Sequence, residues 1–402
     1  MIGFKKKLRI DKVLGFDRWI RFWYPDRLAI ATAETSRTIA KREHLVLCEA
    51  NANYGNLRAL ALELKKILRD DQWTFLAYGP KSESWALEHE IPVRVFRLDP
   101  TRENVETWST LLQAKVAVYE QHDWWRTREQ MLKRAQLSGA IKIQLWHGST
   151  GPIGKEIALG RIEAQPAYWH FLAVASTSVG WEALVNEPNG DEARRMQRIQ
   201  ARKSIHDVEF RMTSILNEGR WKPPTQKKVI VAPTFPEDLQ GETEIAEWIH
   251  QLGNSCEELN LPVTVYLHPS SKKALRERIR DIKGIELASG KTPSDVFKEA
   301  SLLVTDYSSI AHDALLYGTP IMMAVANLET YRVNREILID EEQWNCAYIV
   351  DQNEKFKELI EVAVTSDPLR SSRESYRDSL LSSLSQKPGQ NTIDAILQYL
   401  YN

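Results

Sequence analysis

Short apolar runs alternate with stretches of helical periodicity along nearly the whole chain, and the alternation stops once and then restarts. This pattern constrains the fold more than any single residue does. Runs of roughly four to eight apolar residues, each followed by a helix-spaced segment, read as buried parallel strands joined by crossover helices. In the first half HLVLCEA (residues 44–50), WTFLAYG, VRVFRL, AKVAVYE, IKIQLWHG and FLAVAST read as strands, and LRALALELKKIL carries apolar residues at helical spacing. Between residues 186 and 228 the character changes. There DEARRMQRIQARKSIHDVEFRMTSIL reads as a charged helix and NEGRWKPPTQKK as a polar, proline-rich connection. The second half restarts with strands in KVIVAPTF, PVTVYLHPSS, GIELAS, SLLVTDYSS and TPIMMAV, separated by helices that include TEIAEWIHQLGNSCEEL, LRERIRDI and IAHDALLYG. The fold class expected is α/β with parallel sheets. Two domains are expected, over 44–222 and 223–385, after a basic and aromatic segment over 1–43 and before a C-terminal helix over 386–402.

The bulk numbers agree. A chain of 402 residues exceeds what one compact core holds, and 43% hydrophobic with 27% charged residues is a globular composition. A net charge of −1 leaves no basic excess to neutralise phosphates, so no nucleic-acid partner is expected. Cys48, Cys256 and Cys346 are odd in number and far apart, which favours a reducing compartment. No apolar run approaches about 18 residues and no signal-peptide core is present, so a cytoplasmic location is expected. The first segment mixes Lys5, Lys6, Lys7, Arg9, Lys12, Arg18 and Arg21 with Phe4, Phe16, Trp19, Phe22 and Trp23. It reads either as a helix held peripherally on the cytoplasmic membrane surface or as one docked on the domain with its lysines in water.

Ligands of open α/β sheets bind beyond the carboxyl ends of strands, and three chemistry-bearing fragments fall there. In TDYSSIAHDALLYGTP, Asp306 or Ser308 caps the following helix. Its free amides, with the hydroxyls of Ser308 and Ser309, form an anion site, or else an ordinary N-cap. In YLHPSS, Pro269 keeps His268 extended at the mouth of a loop, where it meets a phosphate oxygen or bonds nearby backbone. In WHGSTGPIG, Gly148, Gly151 and Gly154 let backbone amides approach a ligand, and His147 stands where a general base is needed near neutral pH. The chain has no GxxxxGK[ST] loop and no GxGxxG, which sets aside the nucleotide-triphosphatase and dinucleotide fingerprints. It has no Asp-x-Asp pair either, so no metal or other cofactor is expected to be required.

With these residues assembled, the chain resembles the CDP-glycerol glycerophosphotransferase family, the teichoic acid primases and polymerases. LWHGSTGPIGK is similar to its Trp-His-Gly-Thr-Pro element and VIVAPTF to its Ala-Pro-Thr-aromatic strand. YLHP, VTDYSSIAHDALLYGTPIM and NLETYRVNREILID continue the likeness, and CEANANYGNLRALALELKK echoes the first strand-loop-helix. The resemblance covers roughly residues 44–350 and implies a GT-B-type fold, two Rossmann-like domains facing across a cleft. It implies transfer of glycerol phosphate from CDP-glycerol, or of ribitol phosphate from CDP-ribitol, to a hydroxyl of a lipid-linked cell-wall or capsule polymer, with release of CMP. His147 then takes the base role, while His268, Thr305, Asp306, Ser308, Ser309, Gly148, Gly151, Arg332 and Arg335 serve the donor diphosphate, Asp306 by placing its loop. Asn53, Tyr54 and Gly55 lie on the acceptor side. The chain departs from the family in the inserted Gly151, in Asn327 where the tail has aspartate, and in Arg335-Glu336 where it has Arg-Gly. Two rivals share the scaffold: a GT-B glycosyltransferase with a nucleotide-sugar donor, and a non-catalytic relative that binds membranes or partners.

Overall fold

A computed structural model describes residues 27–49, 55–98, 101–119, 132–133, 135–145, 173–176, 203–208, 210–217, 221–234, 239–268, 271–288, 298–306, 308, 310–324, 345–350, 356–382, 384 and 386–402; structural statements below concern these residues. The expected α/β class is borne out, with two wholly parallel sheets. The first contains β1 (Arg42–Cys48), β2 (Trp73–Ala77), β3 (Val93–Val95), β4 (Ala114–Tyr119), β5 (Ile141–Gln144), β6 (Ala173–Ser176) and β7 (Lys203–His206), in the order β3-β2-β1-β4-β5-β6-β7. The second contains β8 (Val229–Val231), β9 (Val263–Tyr266), β10 (Ile285–Ala288), β11 (Leu302–Thr305), β12 (Ile321–Ala324) and β13 (Tyr348–Val350), in the order β10-β9-β8-β11-β12-β13.

Continuous apolar runs explain this arrangement. A strand covered by helices on both faces has no solvent side, so alternation is lost and every position becomes apolar. Accordingly β2, β8, β11 and β12 are buried at each residue. In both sheets the strand order reverses beside the first strand, between β1 and β4 and between β8 and β11. A reversal of this kind opens a crevice at the carboxyl ends of the two strands, since their crossover helices leave in opposite directions.

The expected charged helix is corrected in part. Lys203–His206 forms β7, and within the described part of that segment only Phe210–Asn217 is helical. KSIH has no apolar run of its own. It pairs in parallel with β6 at the end of the sheet and sends Ile205 into the core, so tertiary pairing overrode the helical composition of its neighbours. A further strand, β13, lies within NCAYIV, where no strand is expected from the sequence. The N-terminal segment lies outside the described residues up to residue 26, and no described helix is long and apolar enough to cross a membrane. The three cysteines are free and buried.

The expected C-terminal helix spans Gln390–Tyr401 and packs on the first sheet, where Ile393, Ile396 and Leu400 join the core of Leu45, Trp73 and Phe75. Asp207, just past β7 and 1% exposed, fastens it. Its carboxylate accepts from the amides of Gly389 (2.6 Å) and Thr392 (2.9 Å) and from the Thr392 hydroxyl (2.8 Å). Asp207→Ala leaves buried donors without an acceptor, each costing about 1–3 kcal/mol. The expected result is a loss of about 2–4 kcal/mol in urea unfolding, with Asp207→Asn intermediate.

Candidate active site at the strand ends

In the second sheet the crevice beside the first strand is built by two loops that are tied together. Leaving β11, Thr305 is fully buried and its hydroxyl donates to the Ala232 carbonyl at 2.6 Å. Asp306 follows and is 7% exposed. Its two carboxylate oxygens accept from the Thr234 amide at 2.8 and 3.0 Å, and one also accepts from the Thr234 hydroxyl at 2.6 Å. The Ser308 amide is a further donor to this carboxylate. Burial pushes the Asp306 acid up from the ordinary carboxylate range, while the Thr234 and Ser308 donors pull it down. The Ala-Pro-Thr turn after β8 and the TDYSS turn after β11 are thereby one unit.

That unit opens a helix. The Ser308 carbonyl accepts from the Ala311 amide at 3.1 Å, and its hydroxyl lies 3.5 Å from the Ile310 amide, at the head of helix Ile310–Tyr317. The N-cap reading is therefore seen in the structure, and the same geometry turns the first-turn amides toward the strand-end crevice, where a helix favours anions. Of the residues expected at the donor diphosphate, Thr305 and Asp306 direct their polar atoms at the protein and shape the loop. Ser308 stands at the helix head. Ser309, Arg332 and Arg335 lie outside the described residues.

His268 sits two residues past β9, which neighbours β8, so parallel pairing puts it on the same edge of the sheet. Its carbonyl accepts from the Ser271 amide at 2.9 Å and from Arg276 Nη2 at 2.8 Å. Burial, and then the Arg276 charge, hold the imidazole below its ordinary pKa. The ring is thus neutral near pH 7 and offers one N–H donor rather than a cation.

The first sheet presents a matching edge. Glu49, directly after β1, accepts from Arg58 at 2.9 Å and from the Tyr78 amide at 3.3 Å, and Arg58 lies over the Trp85 ring at 4.6 Å. Gly55, expected on the acceptor side, takes φ +94° as the N-cap of helix Asn56–Leu64, a left-handed geometry that favours glycine. Asn53 and Tyr54 lie outside the described residues. So do His147, Gly148 and Gly151, although Leu145 marks where their loop leaves β5, with its amide on the Tyr119 carbonyl at 2.7 Å. Among the described residues no group of three or more His, Cys, Asp or Glu is placed to hold a metal.

Several residues escaped the sequence reading. Thr234 was legible only as part of a quoted string, and nothing in the sequence marked Arg276, Arg211 or Asp313. Nor was His312 singled out. It is buried on helix Ile310–Tyr317, and burial lowers its pKa to about 3. An unfolded chain binds a proton there below pH 6.5, whereas the folded chain stays neutral down to about 3. Its contribution is therefore complete above pH 6.5 and is lost as pH falls toward 3, by up to about 1.4 kcal/mol per pH unit. We expect His312→Gln to flatten the dependence of urea-unfolding stability on pH between 6.5 and 4, and an unchanged slope would refute the assignment.

Comparisons with known proteins extend these observations. Residues 217–397 match the family model of the CDP-glycerol:poly(glycerophosphate) glycerophosphotransferases, a span that holds Thr234, His268 and the TDYSS turn. The sequence resemblance is borne out over that span. No curated protein matches the chain. Among solved structures, wall teichoic acid polymerase TagF is similar over 100% of this chain and 98% of that one, with TM-score 0.58 and 13% identity. A TagF variant gives TM-score 0.60 at 15% identity over the same shares. The spinosyn forosaminyltransferase SpnP matches 89% of this chain and 99% of its own, with TM-score 0.50 and 10% identity. At such identities the likeness is one of fold, the GT-B fold.

Proposed function

We propose that this chain, whose residues 217–397 match the family model of the CDP-glycerol:poly(glycerophosphate) glycerophosphotransferases, transfers an alditol phosphate from a CDP-activated donor to a hydroxyl of a lipid-linked cell-wall or capsule polymer. The observation that carries the reading is the junction of Thr234 and Asp306, which joins the Ala-Pro-Thr turn and the TDYSS turn, the two strings that resemble that family's motifs, into one unit at the reversal of the second sheet. The donor of choice is CDP-glycerol, a reading supported by the family's name and by a TagF structure soaked with CDPG. CDP-ribitol makes the same demands on the diphosphate.

In the proposed step the acceptor hydroxyl attacks the alditol-bearing phosphorus in line. A new P–O bond forms to the acceptor, the P–O bond to the cytidine-bearing phosphate breaks, and CMP leaves with the electron pair. His147 takes the hydroxyl proton. Donors held in place ahead of the reaction lower the barrier by meeting charge where it develops. His268 as a neutral N–H, Ser308, Ser309 and the first amides of helix Ile310–Tyr317 serve the diphosphate, with Gly148 and Gly151 giving close backbone approach. Arg332 and Arg335 supply planar, bidentate cations. Without an Asp-x-Asp pair in the sequence, these groups carry the donor's charge in our reading, and no cofactor is called on. The acceptor enters over Asn53, Tyr54 and Gly55, and the basic and aromatic segment within 1–43 holds the enzyme peripherally at the membrane.

Purified protein is to be incubated with CDP-glycerol, CDP-ribitol or a panel of nucleotide sugars, with a short lipid-linked acceptor in detergent. Acceptor-dependent CMP release is expected. No CMP from either CDP-alditol, with nucleoside diphosphate released from a nucleotide sugar, would replace this reading by glycosyl transfer.

A further inference from the structure

Arg211 touches both halves of the molecule at their strand-end edges. It is the second residue of helix Phe210–Asn217, and its amide donates to Asn56 Oδ1 at 3.0 Å. The first residue of the helix after β1 therefore caps the first turn of this one. Gly55, just before Asn56, lies against the Arg211 stem, where a Cβ added to the glycine would come within 3.5 Å of Arg211 Cβ. On the other side Arg211 Nη2 donates to Asp313 Oδ2 at 2.5 Å. Asp313 is in the first turn of helix Ile310–Tyr317, the helix opened by the Asp306–Ser308 loop.

The backbone around Arg211 is equally divided. Phe210 packs in the core of the first sheet, while Met212 and Leu216 pack with Ala311 and Ala314 of helix Ile310–Tyr317. Three helices thus begin beside one arginine, two of them following β1 and β11, strands that flank the order reversals of their sheets. The Arg211–Asp313 side chains are only 10% and 1% exposed. Desolvation offsets most of the attraction in a buried ion pair, so such a pair adds little stability over apolar residues of the same size. What it does impose is geometry, because a charge that leaves its partner in a buried setting stays uncompensated.

We propose that Arg211 is a positioning residue, which sets the spacing between the acceptor-side turn at Gly55 and the donor-side helix Ile310–Tyr317. The substrate assignments in this statement rest on the transfer reading above; the mechanical coupling of the two edges does not. Transfer between substrates held on opposite edges depends steeply on spacing, and an error near 1 Å costs roughly 10²-fold in rate.

The test uses the full chain as wild type, R211Q, D313N, the double variant and R211K. R211Q is expected to lower kcat for transfer about 10- to 100-fold while donor KM stays within about threefold. The double variant should be no slower than R211Q, since both substitutions remove one link, and R211K should recover part of the rate. Amide hydrogen exchange read on the same proteins should quicken together in the first turns of helices Asn56–Leu64 and Ile310–Tyr317, with β1 and β11 still protected. Unchanged kcat in R211Q, or exchange that quickens at one helix alone or at neither, would overturn the proposal. If the wild type shows no transfer with any CDP-alditol, the transfer reading has failed and the exchange result alone decides the coupling. Should R211Q not fold, D313N, which removes the same ion pair, carries the same readings.

Discussion

Asp306→Ala is expected to weaken donor binding about 10- to 100-fold and to lower stability by about 2–4 kcal/mol. The carboxylate is nearly buried and gathers the Thr234 amide, the Thr234 hydroxyl and the Ser308 amide. Alanine leaves all three donors in a dry setting with nothing to accept them. The Ala-Pro-Thr turn then loses its hold on the TDYSS turn, and Ser308 and the helix amides lose the placement that the proposed diphosphate site needs. Asp306→Asn keeps one acceptor oxygen for Thr234 and turns the other into a donor, so it should fall between wild type and alanine. Urea unfolding and calorimetric titration with CDP-glycerol read the two effects separately. Unchanged donor affinity in the alanine variant would detach this loop from donor binding.

The second large effect is expected at His147. If its imidazole receives the acceptor proton, His147→Ala should lower the rate of CMP release by roughly 10²- to 10⁴-fold, the usual worth of a positioned general base. Donor affinity should hold within about threefold, because the proton is on the other substrate. The wild-type rate should rise with pH and then level, as a base must be neutral to act. Initial rates of CMP release across pH, beside calorimetric donor affinity, check both. A variant that loses donor binding as steeply as rate would move His147 from the acceptor to the diphosphate.

Legibility in the sequence followed how local each determinant is. Strands such as VIV of β8, LLVT of β11 and IMMA of β12 are continuous apolar runs because both faces are buried, and that is a property of the run itself. KSIH of β7 has no such run, and only pairing with β6 makes it a strand, so composition assigned it to a helix. The TDYSS and Ala-Pro-Thr strings were both visible, but the bonds from Thr234 to Asp306 join residues 72 positions apart. Capping by Ser308 is written in the few residues around it and could be read directly. Arg211 and Asp313 look like ordinary charges on ordinary helices. Their pairing exists only because the helix Phe210–Asn217 lies between the two cores, a relation no short window contains.

The central claim is that phosphorus, not a sugar carbon, is the centre attacked. The most direct measurement places a ³²P label on the alditol-bearing phosphorus of CDP-glycerol and follows it after incubation with the protein and a lipid-linked acceptor. Phosphoryl transfer predicts that the label leaves the nucleotide and appears in the acceptor lipid, with unlabelled CMP formed in equal amount. Label that remains on the nucleotide while the acceptor is nonetheless extended would contradict the account.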